Sequence, residues 1–294
     1  VAVSNSSGYG TLSGLTRTIS YGSGSGWLAA TFNTTTAPAT LTLTATTGTL
    51  AAGVYTATVA ISSPVAGNSP QNVSVSFAVI SRSGLVGEWL LNGILTDSGG
   101  SYVNTGTNFG ATLTTDRNGT SISAYNFNGT TQFISVPNAD ELVMTSFQTT
   151  GYTLSAWIYV TSTNAMSKEI VEKGVLGGFS LRLGSTNTLQ ACHMNSAGST
   201  GLMSTTATLS RKTWYHVAVT WNYTSGAWQL YLNGVPDTYT GNMAGLKFTT
   251  DGGVAIGGDN FTTPRWFFPG KIDDVRIYNR ALSAAEISAL YNWD

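Results

Sequence analysis

The sequence predicts an all-β protein that consists of two β-sandwiches and a short C-terminal helix. Segments such as Thr40–Gly48 and Asn72–Ile80 alternate apolar or small residues with Thr and Ser, as antiparallel strands with one buried face do. Lys and Glu are scarce, and helical periodicity is missing until the last dozen residues. Charge divides the chain, because Arg17 is the only charged side chain in residues 1–80. We therefore expect two modules.

The first module, residues 1–80, is predicted to be a small immunoglobulin-like β-sandwich. A further alternating strand covers Val54–Ser62, and Gly53 and Pro64 mark the turns on either side of it. Short strands at this spacing over such a length are typical of that sandwich. Residues 81–84 are expected to form a linker.

The second module, residues 85–294, is predicted to be a jelly roll. It carries seven of the eight tryptophans and nearly all the charge. The dipeptide Asn233-Gly234 between two apolar runs is a strong hairpin signal, since both turn positions need positive φ. Many short strands in one module indicate two stacked sheets. Strands are predicted at LVGEWLL, AYNFN, QFISVP, YTLSAWIYV, GFSLRLG, WYHVAVTWN, WQLYLNG and DDVRIYN.

A short helix is predicted at the end of the chain, over Ala284–Tyr291. Ser283 stands at the N-cap position with Glu286 three residues later, which is the pattern of a capping box. Leu282 and Ile287 occupy the positions of a hydrophobic staple. We expect the apolar side of this helix to pack onto the sandwich.

The bulk composition excludes several classes of protein. The formal net charge is −1, so the sequence lacks the excess of basic residues that is typical of proteins that bind nucleic acid. No run of about 18 apolar residues is present, so no membrane-spanning helix is expected. The first residues lack the features of a signal peptide, so we expect a mature or excised piece of a longer protein. The abundance of Gly, Ser, Thr and Asn is typical of an extracellular all-β protein. Cys192 is the only cysteine and is expected to be a buried apolar residue.

The last strand, in the stretch GKIDDVRIYN, contains two adjacent aspartates. Simple alternation would place Asp273 on the same face as Val275 and Ile277, and Asp274 on the other face. A carboxylate among core residues is costly unless it is paired. Asp273 is therefore expected to have a partner.

The acidic residues do not predict catalysis. Glycoside hydrolysis needs two carboxylates that face one cleft. Glu169 and Glu172 are three residues apart, which on a regular strand sends them to opposite faces, and the adjacent pairs Asp273-Asp274 and Asp140-Glu141 diverge likewise. His193 and His216 are far apart in the chain. We expect a protein that is not an enzyme.

The first module resembles the BACON-type immunoglobulin-like modules of bacterial surface and secreted proteins. The matching features are Trp27-Leu28, Pro38 before a Thr-rich strand, the turn LAAGVY and a closing alternating strand. Some modules of this type are assigned carbohydrate or mucin binding, but no cluster of aromatic or acidic residues supports that here. We interpret the module as a spacer.

The second module resembles the LamG-like jelly roll (laminin G domain 3) of the concanavalin A-like lectin and glucanase superfamily. The stretches that match, in the family's order, are LVGEWLLNG, TDSGGSYVNTG, GATLTTDRNGTSISAYNFNGTTQFISVPN, LSAWIYV, IVEKG, TWYHVAVTWN, QLYLNG, AIGG and FFPGKIDDVRIYNRALSAAEISALYN. The resemblance implies a binding fold and commonly one structural calcium ion.

The resemblance implies that the calcium ligands are Asp97 and Asn104, from the loop of residues 97–106, and Asp273. The loop departs from the family pattern, since it is shifted by one residue and carries Tyr102-Val103 where small polar residues are usual. This makes Asn104 the weakest assignment of the three.

Two simpler interpretations stay open for the aspartates. Asp273 could cap loop amides, or pair with Lys271 or an arginine. Asp97 could form an ordinary Asx-turn before Ser98-Gly99.

The stretch RWFFPG is the richest candidate for a sugar-binding platform, and Trp266 is the candidate ligand-binding residue. The alternative is that this stretch is the family's usual entry into the last strand, with Phe268 packed inside.

Three functions are compatible with these features. The first is a non-catalytic, secreted or cell-surface adhesion protein, bacterial by resemblance, whose calcium-stabilised jelly roll recognises carbohydrate or a surface protein. The second is a structural subunit of a surface layer, stalk or filament, which would polymerise through the uncharged N-terminal strand VAVSNSS. The third is an accessory module of a larger secreted carbohydrate-active enzyme.

Overall fold

The computed structural model describes residues 1–6, 10–99, 104–138, 142–162, 167–174, 178–194, 200–243, 252–259 and 264–293. The all-β prediction is confirmed, because strands dominate and one short helix closes the described part of the chain. The chain divides into two compact units, Val1–Ser81 together with Ser288–Asp294, and Arg82–Ile287. No helix of the described residues has the length and apolar character needed to cross a membrane.

The first unit contains two three-stranded sheets around a small apolar core. The sheet orders are β1-β4-β3 and β2-β5-β6, and both sheets contribute to a core that includes Trp27, Leu41 and Val59. The N-terminal strand β1 is already paired within this unit, opposite Ala39 and Thr40. The strands are β1 (Ala2–Val3), β2 (Thr16–Tyr21), β3 (Leu28–Phe32), β4 (Ala39–Ala45), β5 (Gly53–Ser62) and β6 (Gln71–Val79).

The second unit consists, over its described residues, of an eight-stranded and a seven-stranded antiparallel sheet. The eight-stranded sheet has the order β19-β18-β17-β12-β21-β10-β9, with β7 also paired to β21. Its strands are β7 (Leu85–Trp89), β9 (Thr112–Thr114), β10 (Ala124–Asn128), β12 (Gly151–Val160), β17 (Trp214–Asn222), β18 (Ala227–Leu232), β19 (Val235–Asn242) and β21 (Pro269–Tyr278).

The seven-stranded sheet has the order β16-β15-β14-β13-β20-β11-β8. Side chains of both sheets, such as Leu154 of β12 and Leu181 of β14, belong to one buried cluster, so the two sheets form a sandwich. The strands of this second sheet are β8 (Thr107–Phe109), β11 (Phe133–Val136), β13 (Lys168–Lys173), β14 (Phe179–Leu183), β15 (Thr188–Met194), β16 (Thr200–Thr208) and β20 (Val254–Ile256).

A β-bulge in β21 reverses the orientation expected for Asp273. Arg276 pairs with Ser155 and Asp273 pairs with Trp157. Three steps along β21 therefore correspond to two steps along β12, so β21 contains one extra residue here. Asp274 has φ +48°, the left-handed conformation that short polar residues tolerate. Because Ile272 and Val275 both lie in the core, Asp273 faces away from Val275. The prediction that Asp273 shares a face with the core residues is wrong.

A second bulge, in β13, changes the orientation of the two glutamates. Glu169 pairs with Arg182 and Glu172 with Ser180, so three steps along β13 correspond to two along β14. Glu169 and Glu172 therefore face the same side of the sheet, opposite the core. The expectation that they point to opposite faces is wrong, because a regular alternation does not hold through an inserted residue.

The hairpin and helix predictions agree with the structure. Asn233 and Gly234 have φ of +51° and +76° and join β18 to β19. The α-helix α1 covers Ala284–Asn292, and Ser283 and Glu286 form the capping box through Glu286 N to Ser283 Oγ (3.3 Å) and Ser283 N to Glu286 Oε2 (2.8 Å). Burial raises the pKa of Glu286, but hydrogen bonds from Arg280 and Ser283 outweigh burial and lower this pKa to about 2.

We expect Ser283→Ala to lower the free energy of unfolding by about 1 kcal/mol, because the amides at the start of α1 lose their cap. Ser288→Ala is the matched control within the same helix and should change stability little, since Ala is the better helix former. Chemical denaturation followed by tryptophan fluorescence measures both. Equal losses in the two variants would contradict a specific capping role.

Candidate functional site

The centre of the eight-stranded sheet carries a buried ion pair on its outer face. Arg276 Nε donates to Glu88 Oε1 at 2.8 Å, and both side chains are 1% exposed. Burial raises the pKa of Glu88, but the charge and hydrogen bond of Arg276 outweigh it and hold that pKa below its usual value. The carboxylate is therefore charged at neutral pH, and removal of either partner would leave an uncompensated buried charge.

Two of the three predicted calcium ligands lie together beside this pair. The Asp97 Oδ1 atom accepts hydrogen bonds from the amides of Glu88 and Gly99, both at 2.7 Å, and Asn104 Nδ2 donates to Asp97 Oδ2 at 3.2 Å. The bond from Gly99 is the Asx-turn of the simpler interpretation. Burial raises the pKa of Asp97, and the neighbouring Glu88 adds to the rise, although the amides and Asn104 oppose it.

The third predicted ligand, Asp273, is bound to an arginine. Arg117 Nη1 lies 3.3 Å from Asp273 Oδ2 and 2.9 Å from Asp274 Oδ2, and the Asp274 amide donates to Asp273 Oδ1 at 2.9 Å. Burial and then the charge of Asp274 raise the pKa of Asp273 to about 8 against the opposing effect of Arg117. The sequence did not single out Arg117, which is 156 residues away from Asp273 in the chain.

The chemistry of this region fits calcium at Asp97 and Asn104. Both residues offer oxygens of the kind that calcium binds. Within the described residues no hydrogen bond or ion pair joins Asp97 to Asp273, and no group of three or more His, Cys, Asp or Glu side chains converges on one point. Residues 100–103 of the predicted calcium loop lie outside the described part.

Trp266 lies beside β13 of the seven-stranded sheet. Its carbonyl accepts the amide of Glu169 at 2.9 Å, and its φ is +54°, which is unusual for a bulky side chain. The guanidinium of Arg265 sits 4.4 Å from the Trp266 ring centroid and pairs with Asp259 at 3.4 Å. Phe268 is fully buried in the core, as the alternative interpretation of this stretch expected.

Three phenylalanines lie together near the β8 edge of the same sheet. Phe109 and Phe133 stack with their ring centroids 4.6 Å apart and their planes at 4°, and Phe267 lies 6.2 Å from Phe133. Phe109 is 49% exposed. We call Phe109, Phe133, Trp266 and Phe267 the aromatic strip. The sequence did not predict Phe109 or Phe133 as site residues, since only the pairing of β8 with β11 brings them together.

Acidic residues lie buried near the strip. Glu169 and Glu172 share the outer face of β13 but are only 2% and 8% exposed, and Asp259 is fully buried. Glu169 Oε1 lies 3.6 Å from Arg182 Nη1. Burial raises the pKa of Glu169 to about 7, with Arg182 opposing the rise and Asp259 adding to it. Two carboxylates on one face meet one condition of glycoside hydrolysis, whereas their burial leaves little access for a substrate. The pair Asp140-Glu141 lies outside the described residues.

The two histidines are packed among aromatic rings, and His193 Nε2 is hydrogen-bonded to the buried hydroxyl of Tyr152. His193 stacks on Trp228 with centroids 4.3 Å apart, and His216 packs edge-on against Trp157 at 5.5 Å. Burial lowers the pKa of each to about 3, and for His216 the charges of Arg276 and Arg117 add to the effect. Both imidazoles are therefore neutral at physiological pH.

Comparison with known families identifies the second module. A family model, Laminin_G_3, described as concanavalin A-like lectin/glucanases superfamily, matches residues 128–288. The resemblance inferred for this module, and with it the jelly-roll fold, is confirmed. The BACON-type and immunoglobulin-like character of the first module stays a prediction.

The curated relatives match a short part of this chain. The sushi, von Willebrand factor type A, EGF and pentraxin domain-containing protein 1 of Rattus norvegicus is 31% identical over 84 residues, which is 26% of this chain and 2% of the relative. The Mus musculus protein of the same name matches with the same values. The chain thus spans a very small part of these proteins.

Solved structures share the fold at low identity. The binding domain of botulinum neurotoxin serotype D/C is 14% identical with a TM-score of 0.57, and the match covers 71% of this chain and 52% of that one. Domain 4 of AbnA, an extracellular arabinanase from Geobacillus stearothermophilus solved with arabinotriose, is 20% identical with a TM-score of 0.54, covering 72% of this chain and all of that one. The present chain spans about half the length of the toxin domains.

We expect Glu169→Gln to weaken the pH dependence of stability. Because the pKa of Glu169 is about 7 in the folded protein and about 4.5 when unfolded, the folded state binds more protons between these values, and stability falls as pH rises through this window. The raised pKa of Asp273 acts in the same direction, so the dependence should be reduced rather than abolished.

Chemical denaturation at pH 5 and pH 8 measures this difference. The fall in the free energy of unfolding between the two pH values should be smaller in Glu169→Gln than in the wild type. Asp237→Asn, on β19 of the other sheet, is the control and should keep the wild-type fall. An unchanged fall in Glu169→Gln would show that this carboxyl does not carry the effect.

Proposed function

Because the chain belongs to the laminin G 3 family of the concanavalin A-like lectin/glucanase superfamily, we propose that its jelly roll is a non-catalytic extracellular binding module for carbohydrate. The observation that carries the proposal is the aromatic strip, in which the half-exposed Phe109 stacks on Phe133 and Phe267 lies 6.2 Å from Phe133, with Trp266 directly before Phe267 in the chain. Exposed aromatic faces together with a few polar groups are typical of ligand sites.

The chemistry of the strip favours a sugar. The faces of aromatic rings accept the apolar C–H faces of a sugar ring, and the charged Arg265 beside Trp266 can donate hydrogen bonds to hydroxyl groups. The arabinanase domain solved with arabinotriose supports a carbohydrate ligand for this fold. Among the similar toxin structures, cell entry of botulinum neurotoxin type C depends on interaction with two ganglioside molecules. The binding domain of botulinum neurotoxin DC is in complex with rat synaptotagmin II, so a protein ligand is the second candidate.

The buried position of the acidic residues supports a non-catalytic role. Glu169 and Glu172 are nearly inaccessible, and Glu169 is paired with Arg182, so neither is placed to protonate or attack a glycosidic bond. An accessory role beside a catalytic domain elsewhere in a longer protein is compatible with this proposal. A self-assembling role would require β1, the end strand of its sheet, either to exchange its partner β4 or to add a strand of a neighbouring molecule at its other edge. Size-exclusion chromatography distinguishes a polymer from a monomer.

We also propose that one calcium ion stabilises the jelly roll at Asp97, Asn104 and Asp273. Asp97 is buried beside Glu88, and burial disfavours its charge, so a cation there would stabilise it. When bound, the ion would supply a positive charge that ties the loop of residues 97–106 to the sheet. Asp97 and Asn104 would hold it through their side-chain oxygens, and Asp273 would have to share its carboxylate between Arg117 and the ion.

We expect Trp266→Ala and Phe109→Ala each to weaken carbohydrate binding about tenfold or more, because each removes an aromatic face from the strip. A glycan array that includes arabinan fragments identifies the ligand, and isothermal titration calorimetry gives its dissociation constant. Tyr239→Ala is the control, since Tyr239 is similarly exposed but lies on β19 of the other sheet. Binding that survives both strip variants would place the ligand elsewhere.

We expect added calcium to raise the melting temperature above that in EDTA. At a free calcium concentration about a hundred times the dissociation constant, binding adds about 2.7 kcal/mol to the free energy of unfolding. Asp97→Asn should remove the difference between the two conditions, whereas Asp237→Asn should keep it. Identical melting temperatures of the wild type in calcium and in EDTA would exclude a stabilising calcium site.

A further inference from the structure

We infer that a cavity on the outer face of the eight-stranded sheet, at its β19 edge, is a second site for a short neutral oligosaccharide. The cavity measures about 500 Å³, within the range of small-molecule sites. Its polar lining comes from three adjacent strands, β17, β18 and β19, through Thr220, Asn222, Gln229, Tyr231, Thr240 and Asn242.

The lining selects for an uncharged, hydroxyl-rich ligand. Every described residue of the lining is neutral, and the polar ones carry amide or hydroxyl groups. An ionic ligand would lose hydration here without gaining an opposite charge. The hydroxyl groups of a sugar match amides and hydroxyls as both donors and acceptors.

The turn at Ser225 fixes two of these amides in complementary orientations. Ser225 N donates to Asn222 Oδ1 at 2.9 Å, and Asn242 Nδ2 donates to Ser225 O at 3.1 Å. Each amide therefore keeps one group that makes no hydrogen bond to the described residues, a donor on Asn222 and an acceptor on Asn242. Asn222 can therefore donate to a ligand hydroxyl group, and Asn242 can accept from one.

The segment at the other side of the cavity is also held in place. Ala281 and Leu282 complete the lining, and the Leu282 amide donates to Thr153 Oγ1 at 2.9 Å. The same hydroxyl donates to Arg280 O at 2.8 Å, and Arg280 Nη2 pairs with Glu286 Oε1 at 2.6 Å. The cavity is thus formed before a ligand arrives, which lowers the entropic cost of binding.

This site is independent of the aromatic strip. The strip lies at the β8 and β11 edge of the seven-stranded sheet, whereas the cavity lies on the other sheet at the opposite edge of the sandwich, where β16 contacts β19. The cavity therefore has a lining of its own, and a ligand could bind there whether or not the aromatic strip binds one.

The test uses nuclear magnetic resonance of the whole chain with arabinotriose, cellotriose and xylotriose, and with glucuronate as a charged comparison. At least one neutral trisaccharide should shift the side-chain amide signals of Asn222 and Asn242, and glucuronate should bind at least about tenfold more weakly, because the lining offers no cation. Thr240→Trp, which fills the cavity, should weaken this binding at least about tenfold.

Tyr239→Trp is the matched control, since Tyr239 neighbours Thr240 on β19 but is not part of the lining. Tyr239→Trp should leave the shifts of the cavity amides unchanged, and so should Trp266→Ala. A protein that shows no binding at the strip but keeps these shifts would contradict the proposed function and not the inference about the cavity. Asn242→Ala replaces Thr240→Trp if the latter does not fold. The inference is overturned if no neutral trisaccharide shifts the cavity amides, or if the shifts survive the cavity variants.

Discussion

The arrangement of the jelly roll depends on the central strand β21, which is hydrogen-bonded to other strands along both edges and buried on both faces. This strand bonds to β12, β10 and β7, and nearly every one of its residues is buried. A strand in that position needs apolar residues toward the core and compensated polar residues on the other face. The bulge at Asp274 satisfies both needs, because it places Val275 on the same core-facing side as Ile272 and leaves Asp273 on the outer face.

The charges on the outer face follow from this change of phase. Arg276 lies opposite Glu88 on β7, and Asp273 lies opposite Trp157 on β12. The guanidinium of Arg117 lies 4.6 Å from the centroid of the Trp157 ring, and this position brings it to Asp273. The carboxylates of Glu88 and Asp273 thus each have a guanidinium within 3.3 Å. Such pairs add little net stability compared with apolar contacts, but an unpaired member is strongly destabilising, so they allow only one register for β21.

Local features could be predicted from the sequence, whereas features that depend on a partner strand could not. The capping box of Ser283, the Asn233-Gly234 turn and the proximity of Asp97 to Asn104 are each set by a few neighbouring residues. A bulge is defined by the number of residues that the partner strand has over the same interval. The sequence of the bulged strand alone does not contain that number. For this reason alternation failed for Asp273 and for Glu169.

The aromatic strip was missed in part for the same physical reason. Trp266 and Phe267 are adjacent in the chain and visible as a motif, but Phe109 joins them only through the pairing of β8 with β11. Arg117 reaches Asp273 from 156 residues away, so no spacing rule could have found it. Contacts of this kind are set by the topology of the sandwich.

The same topology separates polar groups that hold the fold from polar groups that can meet a ligand. At the centre of each sheet, ionisable side chains such as Arg276 and Glu169 are buried beside side chains of opposite charge. Toward the edges, strands lose neighbours and side chains become exposed, as Phe109 does on β8 and Thr240 does on β19. A sandwich with such buried centres leaves its edges and loops as the places where recognition can occur, and both proposed binding surfaces lie there.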